Sequence, residues 1–444
     1  MARAKKEAAL TPEERLQAAL VPDWEWPYKL PGNWCWTYLT KAAECLDNFR
    51  KPINATERAG RNGNVPYYGA TGQVGWIDDF LTDEDLVLLG EDGAPFLDLI
   101  KDKAYLITGK AWVNNHAHIL RSLFGDTGNR YLLHYLNSFN YAGYVNGTTR
   151  LKLTQASMDT IPIPLPPLAE QQRIVDRIES LFAKLDEAKE KAQTVVDSFE
   201  TRKASILHKA FTGELTAKWR EEHGVGMESW EKKSVGELCI SLKYGTAKKS
   251  DASGNVVVLR MGNLQQGEID WSDLAYSNDP DDIEKYKLFP GDVLFNRTNS
   301  AALVGKTAIY RGEHPAIYAG YLIKLDYDRD KIIGDYLNYA LNTLDAKKYC
   351  NSVKTDGVNQ SNINAKKIGA YSFNVPSIPE QEKIVSVIQK LLSKEQQTKE
   401  AAEAVLDQSD LMKKSILARA FRGELGTNDP SEESAVELLK RTIL

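Results

Sequence analysis

A long internal repeat constrains this chain more than any other feature. Residues 170–215 match residues 380–425 at a single offset of 210 positions without a gap, and 21 of the 46 aligned pairs are identical. Chance does not produce such agreement, so we infer that the chain has duplicated one structural unit. The sequence therefore predicts an architecture in which major elements have counterparts further along the chain.

Each copy of the repeat predicts one long helix. Its apolar residues alternate at spacings of four and three, as in a heptad seam. Proline-rich segments at 161–167 and 375–379 precede the copies, and Gly213 and Gly423 are expected to end the helices. Roughly 40 residues would form a rod of about 60 Å. The residues expected to pair the helices are Ile174, Ile178, Leu181, Leu185, Val195, Phe199, Ile384, Ile388, Leu391, Val405, Met412 and Ile416.

Two modes of helix pairing fit this pattern, although Glu395, Thr398 and Ser409 make the second seam imperfect. A homodimeric coiled coil would bury each seam against a second copy of the chain. Pairing within one chain would join the helix that leaves the first globular segment to the helix that leaves the second. We favour the second mode in antiparallel orientation, because it buries both seams and holds the globular segments at opposite ends.

Two globular segments of similar length accompany the helices. Short apolar runs, such as residues 86–90 and 291–295, alternate with Gly, Asn and Asp turns, and helical patterns follow late in each segment. We expect an α+β or mixed α/β fold for both, as diverged copies of one domain. The expected divisions are an N-terminal extension at 1–22, globular domains at 23–162 and 225–374, long helices at 163–224 and 375–426, and a tail at 427–444.

Loops in both globular segments are rich in side chains that can contact the edges of DNA bases. Arg, Lys, Asn, Gln, Ser and Thr donate to or accept from bases, and aromatic rings pack on sugars or bases. Ordinary polar turns are the alternative interpretation. The candidate DNA-binding residues are Tyr67, Tyr68, Thr71, Gln73, Asn146, Thr148, Thr149, Arg150, Lys243, Tyr244, Thr246, Lys248, Lys249, Arg260, Asn263, Asn296, Arg297, Asn299, Ser300, Lys306, Asn359 and Gln360.

Composition limits the partners and the cellular compartment. The net charge of −5 argues mildly against nucleic acid, so a DNA-binding chain would need a local basic face or partners that contact the phosphates. There is no N-terminal signal pattern and no apolar run of ~18 residues, so we expect no membrane span. The four cysteines show no CxxC spacing, which favours reduced thiols. We expect a cytoplasmic protein of a bacterium or archaeon.

Motifs for catalysis and cofactor binding are missing or incomplete. Residues 303–307 imitate the end of a phosphate-binding loop, but Ser300 stands where that motif needs glycine. There is no Asn-Pro-Pro-aromatic run for methyl transfer to an amine, and no GxGxxG after a strand. His116 and His118 form no HExxH, so we expect no metal site. The sequence predicts no catalytic residue and no cofactor.

The chain resembles the specificity subunit of Type I restriction–modification systems over almost its whole length. The resemblance rests on two Glu-Gln-x-x-Ile-Val segments after proline-rich entries and on two Lys-x-Ser-Ile-Leu-x-x-Ala-Phe-x-Gly-Glu-Leu helix ends. Residues 67–70, 260–265 and 291–300 also look like motifs of that family's recognition domains.

The resemblance implies a function, partners and a role for the helices. Each globular domain would be a target-recognition domain for one half of a split, asymmetric site in double-stranded DNA, and the helices would fix the spacer. Two methyltransferase subunits would dock on the chain, and motor–nuclease restriction subunits would join them. S-adenosylmethionine, ATP and magnesium would belong to those partners. We expect the extension, with a capping-box helix from residues 11–14 to Leu20, to dock on a methyltransferase.

Two other classes of function remain open from the sequence. A fused methyltransferase or nuclease could carry similar recognition domains, but its catalytic motifs are missing. A pure assembly scaffold without a DNA role would agree with the helical seam and with the acidic balance.

Overall fold

The computed structural model describes residues 11–358 and 360–443, so the candidate Asn359 lies outside the described residues. The chain divides into two compact units, Met1–Gln193 with Glu403–Leu444, and Thr194–Ala402. Both units mix helices with strands, and long helices run through them, which confirms the predicted fold class.

The first unit contains the N-terminal elements. Its helices are α1 (Pro12–Ala19), α2 (Leu39–Ala42), α3 (Ala55–Ala59), α4 (Gly125–Ser138), α5 (Gln155–Asp159) and the start of α6 (Leu168–Asp197). Its strands are β1 (Cys35–Tyr38), β2 (Ala43–Cys45), β3 (Val65–Gly69), β4 (Gly72–Ile77), β5 (Thr82–Asp83), β6 (Leu86–Gly90), β7 (Ala104–Ile107), β8 (Lys110–Val113), β9 (Ala117–Ser122), β10 (Val145–Asn146), β11 (Lys152–Leu153) and β12 (Pro162–Leu165).

The second unit holds the middle of the chain. Its helices are α7 (Phe199–Phe211), α8 (Ala217–His223), α9 (Val235–Leu238), α10 (Pro280–Tyr286), α11 (Gly334–Leu341), α12 (Leu344–Val353), α13 (Ala365–Gly369) and the start of α14 (Ile378–Ala420). Its strands are β13 (Glu231–Ser234), β14 (Cys239–Tyr244), β15 (Val256–Leu259), β16 (Leu264–Gln265), β17 (Glu268–Ile269), β18 (Tyr276–Ser277), β19 (Val293–Asn296), β20 (Thr298–Asn299), β21 (Thr307–Ile309), β22 (Ala316–Tyr318), β23 (Leu322–Tyr327), β24 (Thr355–Asp356), β25 (Ser361–Asn362) and β26 (Ser372–Val375).

The two units repeat one topology. Each has a four-stranded antiparallel sheet, in the order β2-β9-β6-β7 in the first unit and β14-β23-β19-β21 in the second. In both, the first strand along the chain pairs with the fourth, and the fourth pairs with the second. Each unit also has one parallel pair, β3 with β8 and β15 with β22, and one antiparallel ribbon, β1 with β12 and β13 with β26. The duplication therefore extends beyond the helices to the globular folds.

Buried apolar strands form the core of each unit. Every residue of β6 and every residue of β19 is buried, as expected for a central strand that is covered on both faces. Ile174 and Ile178 of α6 are fully buried in the core of the first unit. Ile384 and Ile388 of α14 take the corresponding places in the second.

Helix pairing is antiparallel within each unit. In the first unit, Lys189 pairs with Asp410 (Nζ–Oδ1 3.1 Å) and Asp186 with Lys413 (Oδ1–Nζ 2.6 Å), so residue numbers rise on α6 while they fall on α14. In the second unit, Arg202 of α7 pairs with Glu395 of α14 (Nε–Oε2 2.6 Å), and Lys399 Nζ lies 5.0 Å from the centre of the Phe199 ring, so the numbers again run in opposite directions.

Two of the predicted pairing residues do not lie in the buried seam. Val405 and Met412 are 42% and 47% exposed, whereas Ser409 is 2% exposed. Leu181, Leu185, Val195, Leu391 and Ile416 are half-buried, and Phe199 is buried. An α-helix drifts by about 20° per heptad relative to a strict 3.5-residue repeat. The seam consists of two rows of residues that lie seven positions apart. The row that contains Ile384, Val405 and Met412 therefore becomes exposed along α14, whereas the row that contains Ile388 and Ser409 stays mostly buried.

The first long helix is shorter and less regular than the sequence predicted. Residues 162–165 form β12, which pairs with β1, and the helix begins at Leu168. Ser198 interrupts it, and its hydroxyl donates to the Thr194 carbonyl (2.5 Å), a contact that often bends helices. Gly213, at φ 82°, follows the end of α7, and α8 is a separate helix.

The two ends of the described chain pack on each other in the first unit. Thr11 forms the predicted capping box, with its Oγ1 accepting from the Glu14 amide (3.2 Å). The tail contains a helix that the sequence did not predict, α15 (Ala435–Ile443). Ala19 of α1 is buried in one cluster with Ala435 and Leu439 of α15. The buried face of α1 thus packs on α15 of its own chain, and docking of the extension on a methyltransferase stays a prediction.

The remaining sequence expectations concern thiols and membranes. The four cysteines are free thiols, as predicted, and burial raises the pKa of Cys350 to about 11. Among residues 11–358 and 360–443, no helix combines the length and apolarity that crossing a membrane requires.

Candidate nucleic-acid interface

Two predicted loops of the first unit meet on one surface. Thr71, in the β3–β4 turn, and Arg150, before β11, line a common cleft with Asn114 and His116. Arg150 is held there by Asp92, with its Nε 2.6 Å from the carboxylate. We call these residues, together with Arg58, the first-unit polar surface. Its donors and acceptors are of the kinds that contact base edges and phosphates.

Cations and aromatic rings extend this surface toward α3. The Arg58 guanidinium lies 4.8 Å from the centre of the Tyr67 ring, and Arg61 lies 4.7 Å from the Trp112 ring. Arg58, Asn114 and His116 line a second cleft next to the first. Stacked guanidinium groups keep their outer N–H groups available while the ring fixes their plane.

An ionic network lies beneath the first-unit polar surface. His118 is 1% exposed, with Nδ1 2.7 Å from Asp47 Oδ2 and Nε2 2.9 Å from the Leu153 carbonyl. Arg50 pairs with Asp47 (2.9 Å) and with Glu91. Burial alone would raise the pKa of Asp47 and of Glu91. A hydrogen bond with His118 lowers the pKa of Asp47, and hydrogen bonds from Arg50 and Lys152 lower that of Glu91. The network ties the loop after β2 to the end of β6.

The carboxylates of this network, which a metal ion would need as ligands, are already bound by cationic side chains. Ligand atoms of Asp47, Glu91 and His118 lie within 4.8 Å of one another. Arg50 and Lys152 already neutralise the two carboxylates, with Lys152 Nζ 3.1 Å from Glu91. A divalent ion would have to displace Arg50, so the donor set does not fit a resident metal.

The second unit gathers a different set of side chains at the end of β19. The Arg297 guanidinium lies 4.8 Å from the centre of the Tyr244 ring. It donates to the Gly320 carbonyl and to Asn362 Oδ1, both at 3.2 Å. Tyr244 and the neighbouring Tyr321 are 42% and 50% exposed. We call Tyr244, Arg297, Tyr321 and Asn362 the second-unit polar surface.

Arg297 has an unmet donor beneath this surface. Its Nε is buried and has no hydrogen-bond partner among the residues that the structure describes. Its two terminal nitrogens are each used once, and each carries a second N–H. The side chain is thus fixed in place by the protein while donors remain for a ligand.

Other candidates of the second unit are paired with carboxylates or lie in a separate cleft. Lys243 pairs with Asp326, Lys248 with Asp279 and Arg260 with Asp273, at 2.9, 2.7 and 3.0 Å. Lys306 donates to Gln265 Oε1 (2.7 Å) beside α7, away from Tyr244. Thr307, after Lys306, begins β21, so no helix follows as a phosphate-binding loop would require.

Four candidates are buried, which corrects their assignment as direct DNA contacts. They are Tyr67 (2% exposed), Thr246 (5%), Asn263 (3%) and Asn296 (0%). Their polar atoms bond to the chain itself. Asn263 Nδ2, for example, donates to the carbonyls of Asp270 and Asp273, both at 2.9 Å. These side chains shape the loops instead of facing a ligand.

The remaining candidates are at least partly accessible. Tyr68 and Asn299 are half-buried, and the following are exposed: Gln73, Asn146, Thr148, Thr149, Lys249, Ser300 and Gln360. Sequence reasoning missed Arg58, Asn114 and Tyr321. Arg58 and Asn114 lie in the polar stretches 54–64 and 114–116, which could have indicated them, whereas Tyr321 directly precedes the apolar strand β23. Asn362 ends a polar run, the one signal that could have found it.

Comparison with known proteins identifies the family. The model of the Type I restriction modification DNA specificity domain matches residues 46–195 and 227–406, which cover most of the chain and fall once in each half. The chain belongs to this family. The two matched regions agree with the two repeated folds described above.

Relatives and a solved structure support the membership. The chain is 28% identical over 303 residues to the StySPI specificity subunit of Salmonella potsdam, covering 66% of this chain and 65% of that protein. It is 28% identical over 308 residues to the EcoKI specificity subunit of Escherichia coli K12, with the same coverages. The crystal structure of the HsdS subunit from Thermoanaerobacter tengcongensis superposes with a TM-score of 0.62 at 19% identity, covering 90% of this chain and all of that one. The structural likeness shows a shared fold.

Proposed function

We propose that this chain is the DNA sequence-recognition subunit of a Type I restriction–modification complex. Each unit recognises one half of a bipartite, asymmetric site in double-stranded DNA. The observation that carries the proposal is the duplicated fold with unlike polar surfaces: Arg150 and His116 in the first unit, Arg297 and Tyr244 in the second. Two identical recognition surfaces would favour a symmetric DNA site. Because the two surfaces of this chain differ, we expect the two half-sites to differ as well.

The helices set the distance between the half-sites. Half-sites on one face of B-DNA lie about 34 Å apart, and a helix of 43 residues such as α14 is long enough to fix such a spacing. Ion pairs hold the long helices together within each unit. The non-recognised spacer would therefore have one length.

The chain is non-catalytic and works with partners. Two methyltransferase subunits dock on it, and motor–nuclease restriction subunits join the complex. S-adenosylmethionine, ATP and magnesium act in those partners. The net charge of −5 supports this division, because a chain of this charge leaves much of the phosphate contact to other subunits.

Methylation mapping tests the proposal. Genomic DNA would be compared between cells that express this chain with its cognate methyltransferase and cells that lack only this chain. We expect a split motif with a fixed gap that disappears without the chain. Unchanged methylation would favour the scaffold role instead, and a continuous motif would contradict the assignment of one half-site to each unit.

A further inference from the structure

A cleft of ≈ 500 Å³ in the second unit gathers three lysines from three elements. Lys203 belongs to α7, Lys306 precedes β21 and Lys347 belongs to α12. Lys203 and Lys306 are half-buried, and Lys347 is exposed at the rim. Ammonium groups that share one cavity repel each other, and this repulsion is strongest where water is partly excluded. We call this cavity the lysine cleft.

The lysine cleft has cations without matching carboxylates. Lys203 Nζ donates to the Gln266 carbonyl (3.3 Å) and Lys306 Nζ to Gln265 Oε1 (2.7 Å), both neutral acceptors. Within the part of the chain that the structure describes, no ion pair holds any of the three lysines. Glu200 lines the cleft without pairing with them.

The lowered pKa values of Lys203 and Lys306 agree with this excess of positive charge in the cleft. Burial lowers the pKa of Lys203 and of Lys306, and the charge of Lys347 lowers both further. Glu200 and the more distant Glu268 act in the opposite direction on Lys203 without restoring its usual pKa. Glu268 is itself held by Arg311, with an Oε1–Nη2 distance of 2.9 Å.

The corresponding cleft of the first unit is neutralised by its own chain. By the offset of 210, Lys413 takes the place of Lys203. Lys413 pairs with Asp186 (2.6 Å), and Asp102, Asp410 and a second lysine, Lys414, line the same cleft, with Asp410 in the place of Glu200. The second copy carries Gln396 where the first carries Asp186. The second unit thus has an amide at the position whose carboxylate pairs with Lys413 in the first unit.

We propose that the lysine cleft binds a phosphate group. A phosphate carries the charge and the several acceptor oxygens that three ammonium groups with free N–H donors require. The group is supplied either by the DNA backbone or by a free phosphate compound. None of the cleft's lining residues belongs to the second-unit polar surface, so this site is separate from the proposed base contacts.

The test uses the full chain with Lys347→Gln, and with Lys203, Lys306 and Lys347 all replaced by Gln. Lys413→Gln is the matched control, and Lys347→Arg keeps the charge. Calorimetry would measure the affinity for inorganic phosphate at constant ionic strength. The salt dependence of binding to a non-specific duplex would be measured in the complex assembled with its partners. Because Lys347 is exposed and unpaired, its replacement is expected to leave the fold intact.

A DNA phosphate and a free phosphate compound would change these two measurements differently. If the phosphate belongs to DNA, Lys347→Gln reduces the slope of log affinity against log salt by about 0.9, and Lys413→Gln leaves it unchanged. If it is a free compound, Lys347→Gln weakens phosphate binding by about tenfold, Lys347→Arg restores it, and the slope is unaffected. The proposal is overturned if the triple variant changes neither quantity, or if Lys413→Gln has the same effect as Lys347→Gln.

Discussion

The two units carry opposite charges at one backbone position. The Glu91 carbonyl accepts from the Leu153 amide, and the Arg297 carbonyl accepts from the Ile363 amide, both at 2.8 Å, at the end of equivalent central strands. Glu91 faces inward and is bound by Arg50 and Lys152. Arg297 stacks on an exposed tyrosine. The duplication has kept the backbone frame while the side chain changed from an internal ion pair to a surface contact.

This difference indicates how one fold serves two recognition tasks. In the first unit, the ionic network stabilises the frame, and the polar groups that face outward, such as Arg150, come from the loop before β11. In the second unit, the equivalent position itself reaches the surface. The two half-sites would therefore be contacted from different elements, although the strand order is the same.

Glu91→Gln should produce the largest effect. The substitution removes a charge that Arg50 and Lys152 share at a side chain that is only 12% exposed. We expect it to reduce the free energy of unfolding of the first unit by about 3 kcal/mol, because Arg50 then keeps Asp47 but loses its second carboxylate at a site that is largely shielded from water. Hydrogen exchange at the Leu153 amide would measure this, and exchange at the Ile363 amide would report on the second unit.

A matched substitution separates burial from charge. Glu84→Gln breaks the pair with Arg121, in which both side chains are 40% exposed. An exposed pair contributes at most about 1 kcal/mol, so this variant should leave the Leu153 amide nearly as protected as before. Equal effects of the two variants, or loss of protection at Ile363 after Glu91→Gln, would contradict the comparison.

Arg297→Lys should have the next largest effect, on recognition rather than stability. Lysine lacks the planar fork whose two nitrogens reach Gly320 and Asn362 separately, and it cannot stack in a plane on Tyr244. We expect binding of the correct second half-site to weaken by roughly 1–3 kcal/mol, about fivefold to 150-fold, with the first half-site unchanged. Duplexes altered in one half at a time, titrated against the assembled complex, would show this.

Arg150→Lys is the control for that experiment. Arg150 is 59% exposed, its Nε pairs with Asp92, and its Nη2 lies 3.5 Å from His116 Nδ1, so lysine can keep the ion pair. Its effect should be smaller and confined to the first half-site. If Arg297→Lys weakened both half-sites equally, Arg297 would act on general affinity and not as a reader of one half-site.

The repeat made the fold predictable to a large extent. The alternation of apolar residues over 170–215 and 380–425 specified two long helices, and their order along the chain favoured antiparallel pairing, as the pairs of Asp186 and Lys189 show. The capping box at Thr11 was also visible, because it depends on residues three positions apart. Signals of this kind are local in sequence, so they survive without knowledge of the tertiary fold.

The candidate surfaces were less predictable because they depend on contacts between distant segments. Asn296 looked like a polar loop residue, but it ends a strand buried on both faces. Thr71 and Arg150 come together only through the sheet between them. Glu91 drew no attention, since its importance comes from Arg50 and His118, which lie far away in sequence. Burial of a polar side chain is set by the packing around it rather than by its neighbours along the chain.

Acid should produce the smallest effect and should again distinguish the units. The pKa values of Asp47 and Glu91 are lowered from ordinary values of 3.8 and 4.5, so their charged forms stabilise the folded first unit. That contribution is fully present above about pH 5 and is lost as the pH falls through the lowered values. Arg297 stays charged throughout this range. After correction for intrinsic exchange, protection at the Leu153 amide should therefore fall between pH 5 and pH 3 more than protection at Ile363. Glu91→Gln should remove part of the difference, and an equal decline at both amides would mean that the ionic network does not stabilise the first unit.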